Sequence, residues 1–242
     1  MVRDDDAFGH ALLDWAMGGS EPETIERDDH YEETGAGPSV YLSGSRGWPA
    51  AERKTLRFVR GRVIDVGCGA GRIALALQQK GHDVVAMDRS PLALKAAELY
   101  GVEHLECSSI EHLSRSIHSF DTVILFGNNF GLFETPERAR TMLKECAESA
   151  NPGTRILAES TSAYFGAPAM DRTYYRTNRE RGLPPGQLRA RYKYGEFVSP
   201  WFRWLFVSRS EMAQIVRGTG WKISKIVGSN PSEPYVAVLE RA

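Results

Sequence analysis

Short apolar runs alternate with amphipathic segments through most of the chain. The apolar runs are rich in Val, Ile and Leu, which is typical of buried strands, and the segments between them repeat apolar residues at helical spacing. This order predicts an α/β fold built on a doubly wound, mostly parallel seven-stranded sheet. Strands are predicted over 63–66, 83–87, 102–106, 121–126, 154–159, 221–227 and 235–240, and helices over 72–80, 91–100 and 136–150.

The segment before this core has a different pattern. Residues 7–17 have helical apolar spacing, and a polar stretch follows that reaches Trp48. A further helix is predicted over 50–59. We therefore expect residues 1–48 to form an N-terminal helical cap, with the main domain covering 49–242.

The alternation stops a second time late in the chain. Residues 161–207 contain several prolines and glycines, after which 187–194 alternate polar and apolar positions at period two. Residues 197–207 supply a partner strand. This pattern predicts an inserted antiparallel hairpin, and we expect the insert 161–207 to serve as a lid over the substrate.

Three glycines at alternate positions follow the first predicted strand of the core: Gly67, Gly69 and Gly71. Glycines at a strand-to-helix turn let the backbone lie close against a ligand. The next strand ends in Asp88, where a carboxylate is placed to accept the hydroxyls of a ribose. The spacing is Gly-x-Gly-x-Gly rather than Gly-x-Gly-x-x-Gly, because position 72 is Arg, and this weakens the interpretation as a nicotinamide dinucleotide site.

The run Asp65-Val66-Gly67-Cys68-Gly69-Ala70-Gly71-Arg72 resembles the first motif of the class I S-adenosylmethionine (SAM) dependent methyltransferases. The resemblance implies a Rossmann-like fold whose last strand is antiparallel, SAM as cofactor and S-adenosyl-L-homocysteine (SAH) as product. It places Asp88 at the ribose of SAM and the glycine-rich backbone at the methionine end. The predicted cofactor residues are Asp65, Gly67, Cys68, Gly69, Asp88, Arg89, Ser109, Ile110, Phe126, Gly127 and Asn128. Ser109-Ile110 stands where the family has an acidic and a small apolar residue. Tyr41, from the N-terminal segment, is added as a residue that closes over SAM.

The fourth strand of the core ends in Phe126-Gly127-Asn128-Asn129. Ligands of this fold lie at the carboxyl ends of the strands, so these residues are candidates to face the transferable methyl group. The run differs from Asn-Pro-Pro-Tyr, the signature of DNA and protein amide N-methyltransferases, which argues against a nucleobase amine as acceptor. The alternative is a structural turn with Gly127 and Asn129 in left-handed conformations.

Charge is divided unevenly along a chain whose formal net charge is only −1. Residues 1–40 carry eleven acidic side chains, three of them in the run Asp4 to Asp6, whereas 160–209 carry nine Arg or Lys. Two interpretations stand: two separate solvated surfaces, or two oppositely charged segments that pack together over a site. The small net charge gives no general attraction to nucleic acid or to an anionic membrane.

The cysteine and histidine positions bear on compartment and metal binding. The three cysteines are scattered, which favours a reducing cytoplasm over a disulfide framework. The histidines lack ligand spacing, so no metal is expected. The N-terminus lacks the pattern of a signal peptide, and no apolar run approaches the ~20 residues of a membrane helix.

Three residues are candidate proton acceptors for catalysis near the expected position of the methyl group. His30 and Tyr31 lie in the run Asp28-Asp29-His30-Tyr31, and a His pKa near ~6.5 suits a general base at neutral pH. The alternative is that this run is an exposed acidic loop. Glu159, at the end of the fifth core strand, is a third catalytic candidate.

These features together predict a SAM-dependent methyltransferase that transfers a methyl group to O or N of a small molecule by in-line displacement. Three alternatives remain: an enzyme that uses SAM for another reaction such as cyclisation, a nicotinamide-dependent oxidoreductase, and a non-catalytic SAM-binding module.

Overall fold

The computed structural model describes residues 5–165 and 168–242. Asp4 and the rest of 1–4 in the predicted cap, and 166–167 in the predicted lid, lie outside the described residues. Two compact units make up the chain. The first contains the described residues up to 48 together with 64–109 and 189–202, and the second contains 49–63, 110–188 and 203–242.

The strands and helices follow in chain order. The strands are β1 (Thr24–Arg27), β2 (Glu32–Thr34), β3 (Val63–Val66), β4 (Val84–Asp88), β5 (Leu105–Cys107), β6 (Thr122–Leu125), β7 (Arg155–Ser160), β8 (Gln187–Tyr194), β9 (Phe197–Val198), β10 (Phe202–Leu205), β11 (Trp221–Val227) and β12 (Tyr235–Arg241). The helices are α1 (Ala7–Ala16), α2 (Pro38–Tyr41), α3 (Ala50–Thr55), α4 (Arg72–Gln78), α5 (Pro91–Leu99), α6 (Leu113–Ser116), α7 (Pro136–Ser149), α8 (Ala169–Glu180) and α9 (Arg209–Val216).

The main sheet confirms the predicted α/β fold. Its seven strands run in the order β11-β12-β7-β6-β3-β4-β5. β4 pairs with β5 and β6 with β7 in parallel, whereas β12 is antiparallel to both β7 and β11. The third strand begins at Leu105 rather than at 102, because the Val102 N–H donates to the Ala97 carbonyl and so closes the end of α5.

A second, antiparallel sheet corrects the prediction of a purely helical cap. β1 and β2 form a hairpin within the polar N-terminal stretch, and β1 also pairs with β8, giving the strand order β10-β8-β1-β2. The expected hairpin after β8 is present, since Lys193 pairs with Val198 and Tyr194 with Phe197 in β9. β1 escaped prediction because its sequence, Thr-Ile-Glu-Arg, lacks the apolar alternation of a half-buried strand.

Opposite charges join β1 to β8. Both Arg191 and Lys193 lie 2.7 Å from the Glu26 carboxylate, and Lys193 also reaches Glu32 at 2.6 Å. The hydrogen bonds from Arg191 and Lys193 lower the pKa of Glu26 to about 2. The acidic N-terminal segment and the basic late segment therefore pack together at these strands, and a site beneath them stays a prediction.

The insert contains a helix that the sequence analysis missed. α8 buries Tyr174, Tyr175 and Asn178 on one face, and the Asn178 amide donates to the carbonyls of Pro185 and Gln187. The prolines and glycines that indicated a loop flank this helix rather than interrupt it. The insert therefore contains the predicted hairpin and, before it, a helix that was not predicted.

α1 is fixed to α5 through their N-termini in the first unit. The Gly9 N–H donates to Asp6 Oδ1 at 3.0 Å, and the Ser90 hydroxyl donates to Asp6 Oδ2 at 2.5 Å. Ser90 Oγ in turn accepts the Ala93 N–H and caps α5. Small residues let the two helices approach closely, and the buried cluster at their contact comprises Ala11, Leu12, Trp15, Ala70, Ala93 and Ala96.

In the second unit, α7 and α9 are joined through Arg140. Its guanidinium donates to the carbonyls of Gln214, Ile215 and Arg217 at the end of α9. The Trp221 indole N–H donates to the Leu143 carbonyl and connects α7 with β11. The bonds from Arg140 satisfy backbone carbonyls that the end of α9 leaves without partners.

Candidate functional site

The glycine-rich loop between β3 and α4 is held against β4 by its own backbone. The N–H groups of Gly67 and Cys68 both donate to the Met87 carbonyl, at 2.8 and 3.0 Å. Gly67, Gly69 and Gly71 have φ of +71°, +55° and +78°, a region that side chains other than glycine rarely adopt. The loop backbone is therefore held in left-handed conformations. The Gly67 N–H is used to bind the loop to β4.

Two of these glycines meet different surroundings. A Cβ on Gly71 would lie 2.7 Å from Val102 Cγ2 and 3.1 Å from Ala97 Cβ, so Gly71 allows close packing. A Cβ on Gly69 would meet only Leu12, at 3.7 Å. Gly69 thus offers an open backbone surface of the kind that a ligand can lie against.

Asp88 lies at the carboxyl end of β4, next to this loop. Its Oδ2 accepts the Gly69 N–H at 3.0 Å and its Oδ1 accepts the Ser90 N–H at 2.9 Å. Burial raises the pKa of Asp88, while the two backbone N–H groups act in the opposite direction. Each carboxylate oxygen has a second lone pair, so the anchored group can still accept two hydroxyls.

The other predicted cofactor residues of the first unit differ in exposure. Asp65 is 2% exposed at the end of β3, and burial raises the pKa of the neighbouring Cys68 thiol. Arg89 is exposed, and Ser109 is half-buried after β5. Tyr41 is half-buried at the end of α2, and its ring stacks on Trp15.

The second unit holds the predicted residues that follow β5 and β6. Ile110 and Phe126 are buried. Gly127 and Asn128 have φ of +71° and +62°, so the left-handed asparagine is Asn128 and not Asn129. The Thr161 hydroxyl donates to Asn128 Oδ1 at 2.6 Å and orients this side chain.

Glu159 supports the same turn from the end of β7. Its Oε2 accepts the N–H groups of Gly127 and Asn128, at 2.5 and 3.3 Å. Glu159 is also hydrogen-bonded to Glu52 of α3, and both carboxyl groups are at most 1% exposed. Burial, followed by the nearby Glu52, raises the pKa of Glu159 to about 8.

His30 and Tyr31 occupy the turn of the β1–β2 hairpin. His30 has φ +64° and an exposed side chain, and Tyr31 lies half-buried beneath the Arg27 guanidinium, 4.6 Å from its ring centroid. Arg27 also pairs with Asp29 at 2.8 Å. The catalytic roles of His30, Tyr31 and Glu159 stay predictions.

Several contributors to the site were missed in the sequence. Asp6, the N-cap of α1, and Leu12 on α1 were not among the predicted cofactor residues, and Glu52 looked like an ordinary solvated residue on a short helix. Glu23 is fully buried although it stands in a polar stretch. The one available signal was Asp6, which precedes Gly9 by three positions, as a helix N-cap does.

Among residues 5–165 and 168–242, no three His, Cys, Asp or Glu side chains are grouped to hold a metal ion. Within the same ranges, no helix is long and apolar enough to span a bilayer.

Comparison with known proteins points to one family. Residues 63–153 match a family model described as a methyltransferase domain. The chain is 26% identical over 182 residues to a ubiquinone biosynthesis O-methyltransferase of Xanthomonas euvesicatoria, covering 72% of this chain and 67% of that protein. It is 28% identical over 148 residues to the enzyme of the same name from Xanthomonas oryzae, where it spans 57% of each chain.

A solved structure agrees with these sequence matches. A SAM-dependent methyltransferase from Bacteroides fragilis, crystallised with SAH, superposes with a TM-score of 0.82 at 23% identity, covering 99% of this chain and 96% of that one. At this identity the superposition establishes the fold. Together with the methyltransferase-domain match over residues 63–153, which include the glycine-rich loop and β4, it supports a class I SAM-dependent methyltransferase.

Proposed function

We propose that this protein transfers the methyl group of SAM to an oxygen atom of a small-molecule acceptor. The observation that carries the proposal is the Asp88 carboxylate, fixed by two backbone N–H groups beside the open surface of Gly69. The names of the relatives, which are O-methyltransferases, favour oxygen over nitrogen as the acceptor atom.

The residues of the first unit fit the parts of SAM. Asp88 would accept the ribose hydroxyls through its free lone pairs, and Gly69 would lie against the amino acid portion. Arg72, whose positive charge acts on the Tyr41 hydroxyl, would attract the methionine carboxylate. When bound, SAM supplies a methyl group on a positively charged sulfur, ready for displacement by a nucleophile.

Alignment accounts for most of the rate gain in such a displacement, because it replaces a bimolecular encounter by a fixed geometry. An oxygen acceptor also loses a proton, which a nearby base accelerates. Glu159 has both a raised pKa and bonds to the turn after β6, so we assign it the positioning of Gly127 and Asn128.

The proposed activity is tested with isotopically labelled SAM and a panel of phenols, alcohols and amines. We expect SAH to form together with an acceptor that is heavier by one methylene group, and phenols or alcohols to be the acceptors. If labelled product formed only with amines, the acceptor atom would be nitrogen. SAH binding without product from any acceptor would favour a non-catalytic module, and a cyclised product would favour the other SAM-using class.

His30 and Tyr31 are tested separately from cofactor binding. If His30 is the general base, His30→Ala should lower kcat by roughly 100-fold while SAM affinity is retained, and Tyr31→Phe tests the phenol. The exposed Glu33 on β2 gives the control, Glu33→Gln. If both variants had the kcat of the wild type, neither His30 nor Tyr31 would take part in catalysis.

We also propose that the segments 20–48 and 189–202, which share a unit with the glycine-rich loop, cover the bound ligand. Their amide hydrogens should exchange more slowly with SAH present, because closure protects the backbone. The helices α4 and α5 serve as internal controls. Equal exchange with and without SAH would make these segments permanent structure. A lid role for 161–188 remains a prediction.

For the location, we propose the cytoplasm. Cys68, Cys107 and Cys146 are all free, and Cys107 is exposed, an arrangement that suits a reducing compartment. We propose a small molecule rather than nucleic acid as the partner.

A further inference from the structure

One carboxyl group in the first unit lacks a partner for half of its hydrogen-bonding capacity. Glu23 is 0% exposed, and its Oε2 accepts the Gly37 N–H at 3.1 Å. Its Oε1 is buried without any hydrogen-bond partner. A buried carboxylate oxygen in this state is costly, so the arrangement calls for a donor that the protein itself does not supply.

The chain folds tightly around this carboxyl group. The Gly35 N–H donates to the Glu23 carbonyl at 2.7 Å, and a Cβ on Gly35 would lie 2.2 Å from Glu23 Oε1. Gly37 follows with φ +62° and holds the other oxygen. The turn thus needs glycine at 35 to leave room beside Oε1.

Several aromatic side chains lie near the Glu23 carboxyl group. The Tyr41 hydroxyl lies near Glu23, and burial, followed by the charges of Tyr192 and Glu23, raises the pKa of Tyr41. Tyr41 stacks on Trp15 at 5.6 Å, and Phe8 stacks on Tyr192 at 4.6 Å. Burial and the charge of Glu23 also raise the pKa of Tyr192.

This cluster belongs to the same unit as the cofactor loop and is connected to it. Leu12, one turn before Trp15 on α1, is the neighbour that a Cβ on Gly69 would meet. The charge of Arg72, the first residue of α4, acts on Tyr41. The unpartnered oxygen therefore lies in the surroundings of the glycine-rich loop.

We propose that Glu23, the Tyr41 hydroxyl and the surrounding ring faces form a binding site for an ammonium group. An ammonium offers three donors and a positive charge, which match an unpaired carboxylate oxygen, and aromatic faces attract cations. The proposal rests on the proposed function for the source of that group, which is either the α-ammonium of SAM or an amine on the acceptor.

Calorimetry on Glu23→Gln tests the site, because the amide keeps the shape and loses the charge. SAH and an SAH analogue without the α-amino group are titrated into wild type and variant. Phenethylamine and its neutral counterpart 2-phenylethanol are then titrated into the SAH-loaded protein. Glu33→Gln, on the exposed β2, is the matched control.

Two results support the site and identify the source. If SAM supplies the ammonium, Glu23→Gln should weaken SAH binding roughly tenfold or more and leave the analogue unaffected. If the acceptor supplies it, SAH binding stays unchanged, whereas phenethylamine binding falls by a similar factor and 2-phenylethanol binding does not. Tyr41→Phe should shift the same ligand in the same direction, which covers the case that Glu23→Gln does not fold.

The opposite result is equally clear. Unchanged affinity for SAH and for the amine in both variants would mean that water satisfies Glu23, and would overturn the proposal. If SAH binds to no form of the protein, the proposed function fails. The amine titration on the ligand-free protein then decides the site by itself.

Discussion

Replacing Asp88 with alanine should weaken SAM binding by roughly 1–3 kcal/mol, or about ten- to hundredfold, because the ribose hydroxyls lose a charged acceptor. The structure adds a second reason. Asp88 accepts the N–H groups of Gly69 and Ser90, so its removal also releases the loop that SAM lies against. Calorimetry with SAM and SAH measures the loss.

The control for this variant is Asp83→Ala, which removes an exposed carboxylate at the other end of the same strand. Asp88→Asn separates the two causes, since an amide oxygen can accept only one of the two backbone N–H groups well. Wild-type affinity in Asp88→Ala, with the fold intact by thermal melting, would contradict the assignment of the cofactor site.

The stability of the protein should fall as the pH rises from about 5 to 8, by up to roughly 1.4 kcal/mol per pH unit, because of Glu159. Its folded pKa of about 8 lies above the ordinary value of 4.5. Between these values the folded state binds more protons than the unfolded state, so the free energy of unfolding decreases with pH. Urea unfolding at several pH values measures this slope.

Glu159→Gln should remove this contribution to the slope. The amide imitates the protonated carboxyl, since its oxygen can accept from the turn and its NH₂ can donate to Glu52. Glu52→Gln should reduce the slope without abolishing it, because burial, the main cause of the raised pKa, remains. Glu148→Gln, on the exposed side of α7, is the control. Identical pH profiles for wild type and Glu159→Gln would contradict the raised pKa of Glu159.

The Glu52–Glu159 pair has a structural consequence for the proposed reaction. The same Glu159 oxygen holds the N–H groups of Gly127 and Asn128 in the turn after β6. If both carboxyl groups were ionised, the two buried negative charges would repel each other. The order of this turn and the protonation of the pair are therefore linked.

Local signals in the sequence determined the main sheet and the cofactor loop. The strands β3, β4, β6 and β7 are rich in apolar residues and almost entirely buried, as strands of a parallel sheet covered on both faces are. The three glycines and Asp88 are close in sequence, so their spacing alone describes the turn and its acidic partner. The start of α5 is likewise marked in the sequence by Ser90 at the N-cap and Pro91 at the first helical position.

Tertiary structure decided the rest, because the decisive partners lie far apart in the chain. Glu26 is buried against Arg191 and Lys193 of β8, and Arg191 is 165 positions away in the chain, so the sequence around β1 does not reveal these partners. Glu52 and Glu23 look like solvated residues in sequence, and only packing removes them from water. A charged residue can be buried when the fold brings a partner to it. That partner can lie far away in the sequence, so the residues around the charged one do not show that it is buried.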